Sequence, residues 1–225
     1  DGTSVTLDDT VPTLSSVSID SDNAETAATA ETATNGDTVT LTFVGSETLS
    51  GGAGTPACAF TLNSVAATNA DSVANPSGNT WTCTFDLANA DANAAVAFTI
   101  SFDDLAGLAG VAVTAVSDGT SVTLDDTVPT LSSVTIVSDN ADTTKGKNDD
   151  TVTMTFVGSE TLSANAAGGK PACTFTVNGA AATNADTVTN TGGNTWTCVF
   201  DLAAADTDGA VAFSIAFDDL AGNAG

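Results

Sequence analysis

Residues 80–87 read TWTCTFDL. Trp81, Cys83, Phe85 and Leu87 alternate with Thr80, Thr82, Thr84 and Asp86, a period of two that puts the large apolar groups on one face and small polar groups on the other. This is the pattern of a strand buried on one side only. The octet returns as TWTCVFDL at 195–202, an offset of 115. Working outward, AVAFTISFDDLAG at 95–107 returns as AVAFSIAFDDLAG at 210–222, LTFVGSETLS at 41–50 as MTFVGSETLS at 154–163, and DGTSVTLDDTVPTLSSVSI at 1–19 as DGTSVTLDDTVPTLSSVTI at 118–136. The chain therefore holds two copies of one unit. Length differences fall between Ile19 and Asp37 and after Leu49, which marks those segments as surface loops.

The same alternation recurs through each copy. Val39, Leu41 and Phe43 form one set, Cys58, Phe60 and Leu62 another, and Val96, Phe98, Ile100 and Phe102 a third. A first strand carries Leu14, Val17 and Ile19, and a last one carries Val111 and Val113, then Val122 and Leu124 beyond a bulge or kink at 117–119. Turn clusters at 35–37, 75–79 and 117–119 separate them, and no window has the period of an amphipathic helix. Six or seven short antiparallel strands in a unit of this size predict a two-sheet sandwich.

Cys58 and Cys83, and Cys173 and Cys198, lie 25 residues apart in their copies, each on the apolar face of its strand. A buried disulfide within each copy is the simple reading, contributing about 3 kcal/mol for a loop of that length. Free thiols would need two inert buried cysteines at matching places in both copies. A zinc site would have two thiolates, no histidine and no close Cys pair. Oxidised pairs place the chain outside a reducing cytosol, secreted or at a cell surface. Trp81 and Trp196, two residues before the second cysteine of each pair, read as core beside the sulfurs.

Composition narrows the function classes. There are 28 acidic residues against three lysines, with no arginine and no histidine, for a net charge of −25. Nothing could neutralise nucleic acid phosphates, and anionic membrane surfaces are disfavoured equally. Without His, Arg or Tyr the usual acid–base and nucleophilic constellations cannot be assembled, so the expectation is a chain that is not an enzyme. No apolar run is long enough to span a membrane. The start at Asp1, without Met or signal peptide, reads as a mature or excised segment.

DDTVPTLSSV at 8–17 and 125–134, with FDDLAGNAG at 217–225, resembles the bacterial immunoglobulin-like repeats of large surface proteins, adhesins and fibres. TLTFVGSETL at 40–49 and GNTWTCTFDL at 78–87 look like the second and fifth strands of such repeats. The resemblance covers essentially the whole chain. It implies an all-β fold of two tandem immunoglobulin-like antiparallel β-sandwich domains, arranged as serial modules outside the cell. The cysteine pair is a departure, since many such repeats lack it.

The expected boundaries are an N-terminal strand at 1–9, domain 1 at 10–126 and domain 2 at 127–225, the last without a counterpart of the strand that closes domain 1. Two accounts stay open. Residues Thr3, Ser4, Val5, Thr6 and Leu7 are a donor strand that completes domain 2 of another copy, filling a groove lined by Phe213, Ile215 and Phe217 or their sheet neighbours, which propagates head to tail as a homopolymer. Alternatively, 1–9 is the last strand of a preceding repeat in a longer chain, and the partners are flanking repeats of the same polypeptide. The functional expectation is a structural subunit or repeat of an extracellular filament or stalk. The runner-up is a module of a calcium-stiffened surface adhesin that binds a glycan or protein through loops 20–36 and 137–149, which differ most between copies.

No cofactor is implied beyond Ca²⁺. Its candidate ligands are Asp8, Asp9, Asp125 and Asp126 at the junctions, and Asp103, Asp104, Asp218 and Asp219 where a strand ends near a turn. The same Asp pairs could merely cap turns or blunt exposed edges.

Overall fold

The computed structural model describes residues 4–23, 29–52, 56–164, 169–184 and 186–225. Among these every regular element is a strand. The chain divides into two compact units, Asp1–Asp126 and Thr127–Gly225.

In unit 1 the strands are β1 (Leu14–Ser21), β2 (Ala30–Ala33), β3 (Thr38–Gly45), β4 (Ala57–Leu62), β5 (Val65–Ala66), β6 (Ser72–Ser77), β7 (Thr80–Asp86), β8 (Val96–Ser101) and β9 (Ser121–Leu124). One sheet has the order β1-β3-β7-β6 and the other β5-β4-β8. The second sheet is extended beyond β8 by the tail of the unit, through an antiparallel bridge from Ile100 to Val113 and another from Ala95 to Thr123. β9 in turn carries β2 alongside it in parallel. The alternating sequences of β3 and β7 bury every second residue, so Val39, Leu41, Phe43, Trp81, Cys83 and Phe85 face the opposite sheet. β6 is exposed along its length. It carries Pro76 where the register with β7 shifts, and an edge strand tolerates the missing N–H there.

Unit 2 repeats the plan with β10 (Leu131–Ser138), β11 (Thr151–Gly158), β12 (Ala172–Val177), β13 (Ala180–Ala181), β14 (Thr187–Gly192), β15 (Thr195–Asp201) and β16 (Val211–Ala216). Its sheets run β10-β11-β15-β14 and β13-β12-β16. Among the described residues it has no counterpart of β2 or β9.

Within each unit a cystine ties the sheets together. Cys58 on β4 bonds Cys83 on β7, and Cys173 on β12 bonds Cys198 on β15, each with Cα atoms 6.3 Å apart. Beside them Phe60 stacks on Phe85 with ring centroids 4.4 Å apart, and Phe175 on Phe200 at 4.3 Å. In unit 1 four strands, first, second, fifth and fourth of the sandwich, thus face the third, sixth and last, and the described strands of unit 2 follow the same order without the last. This is the immunoglobulin-like strand order, with the cystine linking the third and fifth strands of the sandwich. The fold is two immunoglobulin-like antiparallel sandwiches in tandem, each with one disulfide, and such bonds persist in a non-reducing environment.

Candidate functional site

In unit 1 the tail of the unit closes the sandwich. Beyond its bridge to β8 at Val113 the segment passes along β1, where the Ser117 N–H donates to the Val17 carbonyl at 2.8 Å and the Val17 and Ile19 N–H groups donate to the Ser117 and Thr120 hydroxyls at 2.9 Å. β9 then inserts Val122 and Leu124, which are fully buried in the core with Ala33 of β2. Its end is fixed by polar contacts. The Leu124 N–H donates to the Ala94 carbonyl at 3.0 Å and the Asp125 N–H to the Ala33 carbonyl at 2.9 Å. The Asp126 carboxylate accepts from the Thr34 hydroxyl at 3.0 Å and the Asn35 N–H at 2.7 Å, while the Asp126 N–H donates to Asn93 Oδ1 at 3.1 Å.

The matching place in unit 2 is an open cleft of about 880 Å³. Its walls include Ile136, Val152, Val177, Leu202, Val211 and Lys147. The sequence repeat equates the apolar five with Ile19, Val39, Leu62, Leu87 and Val96, which belong to the closed core of unit 1. The difference shows on the first strand, where Val17 and Ile19 are each 3% exposed but Val134 and Ile136 are 38% and 37% exposed.

The residues singled out for this groove are placed unequally. Phe213 is 41% exposed against 7% for its counterpart Phe98, and Ile215 is half-buried. Phe217 is buried in the core, with Gly225 against its ring so closely that any added Cβ would strike it. In unit 1 β9 meets its sheet at Ala95, which corresponds to Ala210. In unit 1 Leu87, the counterpart of Leu202, and Val96, the counterpart of Val211, pack in the core with Val122 and Leu124, while Ile100, the counterpart of Ile215, bridges to Val113. Phe213, Ile215 and Phe217 are not among the residues lining the cleft, whose walls come from β10, β11, the loop before β11 and the start of β16. Of the proposed assembly strand, Ser4 to Leu7 are exposed, with Val5 and Leu7 standing clear of the core. Thr3 lies outside the described residues, as do residues 24–28 of loop 20–36.

A second cluster sits at the start of unit 1. Carboxylate oxygens of Asp8, Glu47 and Asp104 lie within 4.8 Å of one another. Asp8 is held by a turn in which the Thr10 N–H donates to its Oδ1 at 3.0 Å. Glu47 follows β3, whose last residue, Gly45, leaves no room for a Cβ, because it would come within 2.7 Å of the Glu47 carbonyl. Asp104 is buried, and its Oδ1 accepts the Leu108 N–H at 2.8 Å, while its Oδ2 has no hydrogen-bond partner. Desolvation, reinforced by the charges of Asp8 and Asp104, pushes the Glu47 carboxyl above its ordinary range. In unit 2 the counterpart Asp219 has both oxygens engaged, Oδ1 by the Ala221 and Asn223 N–H groups and Oδ2 by the Asn223 amide at 2.9 Å. Asn223 replaces Leu108, and this one change decides whether the buried oxygen is satisfied.

Of the other aspartates proposed for a cation, Asp125 and Asp126 are engaged with Asn93, Thr34 and Asn35. Asp9 is exposed, and Asp103 and Asp218 contribute backbone carbonyls that accept from Ser50 and Ser163. Glu47 was not among the candidates. Its signal was present in the repeated GSET phrase, but only the turn after β3 brings it to the FDD turn.

No protein-family model and no curated protein matches the sequence. Among solved structures the chain is similar to a titin A168169 substructure, at 11% identity with a TM-score of 0.30, covering 95% of this chain and 94% of that one. It is also similar to the titin Ig tandem domains A164-A165, at 13% identity with a TM-score of 0.27, covering 92% and 95%.

Proposed function

We propose that the chain is a structural repeat of an extracellular filament or stalk, in which the strand Ser4–Leu7 of one copy docks in the open cleft of unit 2 of another. One comparison carries the reading. The phrase DGTSVTLDD closes the cleft of unit 1 when it stands at 118–126, and the same phrase at 1–9 presents Val5 and Leu7 to solvent. On this reading the occupant is a second copy of this chain, and the contact joins unlike surfaces, so it would propagate as an open polymer. The resemblance to bacterial immunoglobulin-like surface repeats, the acidic surface and the two disulfides all suit such a role outside the cell, with no catalysis.

The test is assembly of the purified chain, read by light scattering and electron microscopy. The wild type is expected to form fibres, and Val5→Asp with Leu7→Asp is expected to leave monomers. Fibres from the double variant, or a wild type that stays monomeric at high concentration, would overturn strand exchange between copies. If native fibres release, on denaturation and reduction, a polypeptide much larger than 22.0 kDa, the strand comes from a neighbouring repeat of the same polypeptide instead.

A second reading rests on Asp104. Three carboxylates with one buried oxygen left unpaired suit a hard divalent cation, Ca²⁺ above all, with Asp8, Glu47 and Asp104 as the protein ligands. Bound there, the ion would fix the start of unit 1 by tying the chain before β1 to the turns after β3 and β8. Calcium is expected to raise the melting temperature of the wild type and to leave Asp104→Asn unchanged. Equal responses from the two would remove this site.

A further inference from the structure

The end of the cleft in unit 2 differs from that of unit 1 in charge, and the difference bears on which strand it accepts. In unit 1 the loop before β3 is held by an N–H to carboxylate bond from Thr34 to Asp37 at 2.8 Å, by the Gly36 N–H on the Leu87 carbonyl and by the Leu87 N–H on the Asp37 carbonyl. In unit 2 the same bonds run from Lys147 to Asp150, Asp149 to Leu202 and Leu202 to Asp150. Lys147 therefore occupies the place of Thr34, and Asp149 takes the left-handed conformation of Gly36, with φ of 68° against 94°. Thr34 is the residue whose hydroxyl holds the carboxylate of Asp126 at the end of the closing strand. Since DGTSVTLDD is identical at 1–9 and 118–126, Asp9 is the counterpart of Asp126.

We infer that Lys147 selects the strand that enters unit 2, by pairing its ammonium with the carboxylate of Asp9. This rests on the strand docking proposed above. Three lysines are present in the whole chain, and two of them, Lys145 and Lys147, line this cleft. The Lys147 side chain is 74% exposed and bonded on one side to Asp150, which leaves ammonium protons for a second carboxylate. The other substitution at this end works with it. Asn93, whose Oδ1 accepts the Asp126 N–H, is replaced by Asp208, which can still accept the Asp9 N–H but adds a negative charge beside an acidic strand. A neutral threonine there would leave that repulsion uncompensated. Within unit 1 the closing strand is already tethered and neutral partners suffice, whereas in unit 2 the lysine supplies the attraction that an incoming strand needs.

The experiment measures binding of a labelled DGTSVTLDD peptide to the full-length chain by fluorescence anisotropy, for wild type and Lys147→Thr, with a second peptide carrying Asp9→Asn. Threonine is the residue found at the equivalent position, so the variant is expected to fold, and its melting curve checks this. Lys147→Thr is expected to weaken binding roughly two- to fivefold at low salt, as an exposed ion pair does. The loss should vanish in molar salt, where such pairs are screened. The Asp9→Asn peptide should bind both proteins alike. Independent effects of the two changes, or a loss that molar salt does not reduce, would overturn the lysine's role while leaving docking intact. Absence of any peptide binding to the wild type would overturn docking and the lysine's role together.

Discussion

Asp150 gathers more hydrogen bonds than most carboxylates in this acidic chain. The Lys147 ammonium, the Asn140 amide at 2.8 Å and the Lys147 N–H at 2.9 Å all donate to it, and together they hold its pKa down to about 2. A carboxyl with a lowered folded-state pKa contributes stability that is complete above its ordinary value and is lost as acid drives the pH down toward the folded one. Unit 2 is therefore expected to lose stability between roughly pH 4 and pH 2. Asp150→Ala should flatten that part of the profile, as measured by thermal melting across the range. A profile as steep as wild type would show that other carboxylates carry it. At the same scale, Glu47 marks what the residues alone did not disclose. Asp pairs advertise oxygen ligands, but a lone glutamate in GSET reads as a loop residue until the turn after β3 is built.

Among the elements, β9 and the stretch Ser4–Leu7 share one local sequence and have opposite surroundings. Leu124 is 1% exposed and Leu7 is 82% exposed. Leu124→Ala is expected to destabilise unit 1 by about 3–5 kcal/mol through the lost burial and the cavity left behind. Leu7→Ala should leave the melting of the isolated chain unchanged within about 0.5 kcal/mol while weakening assembly. Chemical denaturation of the two variants side by side measures both. The central strands were legible from the sequence because β3, β4, β7 and β8 sit one face inward, so a period of two survives along each. β2 was not legible. AETA has no apolar period, and it is a strand only because β9 lies parallel to it and Glu31 accepts the Ser21 N–H at 2.6 Å. The cleft was not legible in the same way, since periodicity reveals which face a strand buries but not that β10, β11 and the loop before β11 would wall a cleft with the start of β16.

Along the whole chain, the two copies of the unit differ in how much of their apolar surface is covered. Unit 1 buries Val17, Ile19 and Phe98, while unit 2 leaves their counterparts Val134, Ile136 and Phe213 more than a third exposed. Calorimetry is expected to resolve two transitions, the lower from unit 2. Saturating DGTSVTLDD peptide should raise only that one, by about 2.7 kcal/mol in stability at a hundred times its dissociation constant. A single transition insensitive to peptide would count against the difference. The placing of the cystines has a mechanical corollary. If a string of such units is pulled, each can unspool from its ends only as far as the sulfurs, because the 25-residue span from Cys58 to Cys83, and that from Cys173 to Cys198, is short-circuited by a covalent bond. Each bond withholds about 80–90 Å of contour length, at 3.3–3.6 Å per extended residue. A reductant would release that slack, so the oxidised strand should behave as a cable with a hard stop and the reduced one as a cable that keeps paying out.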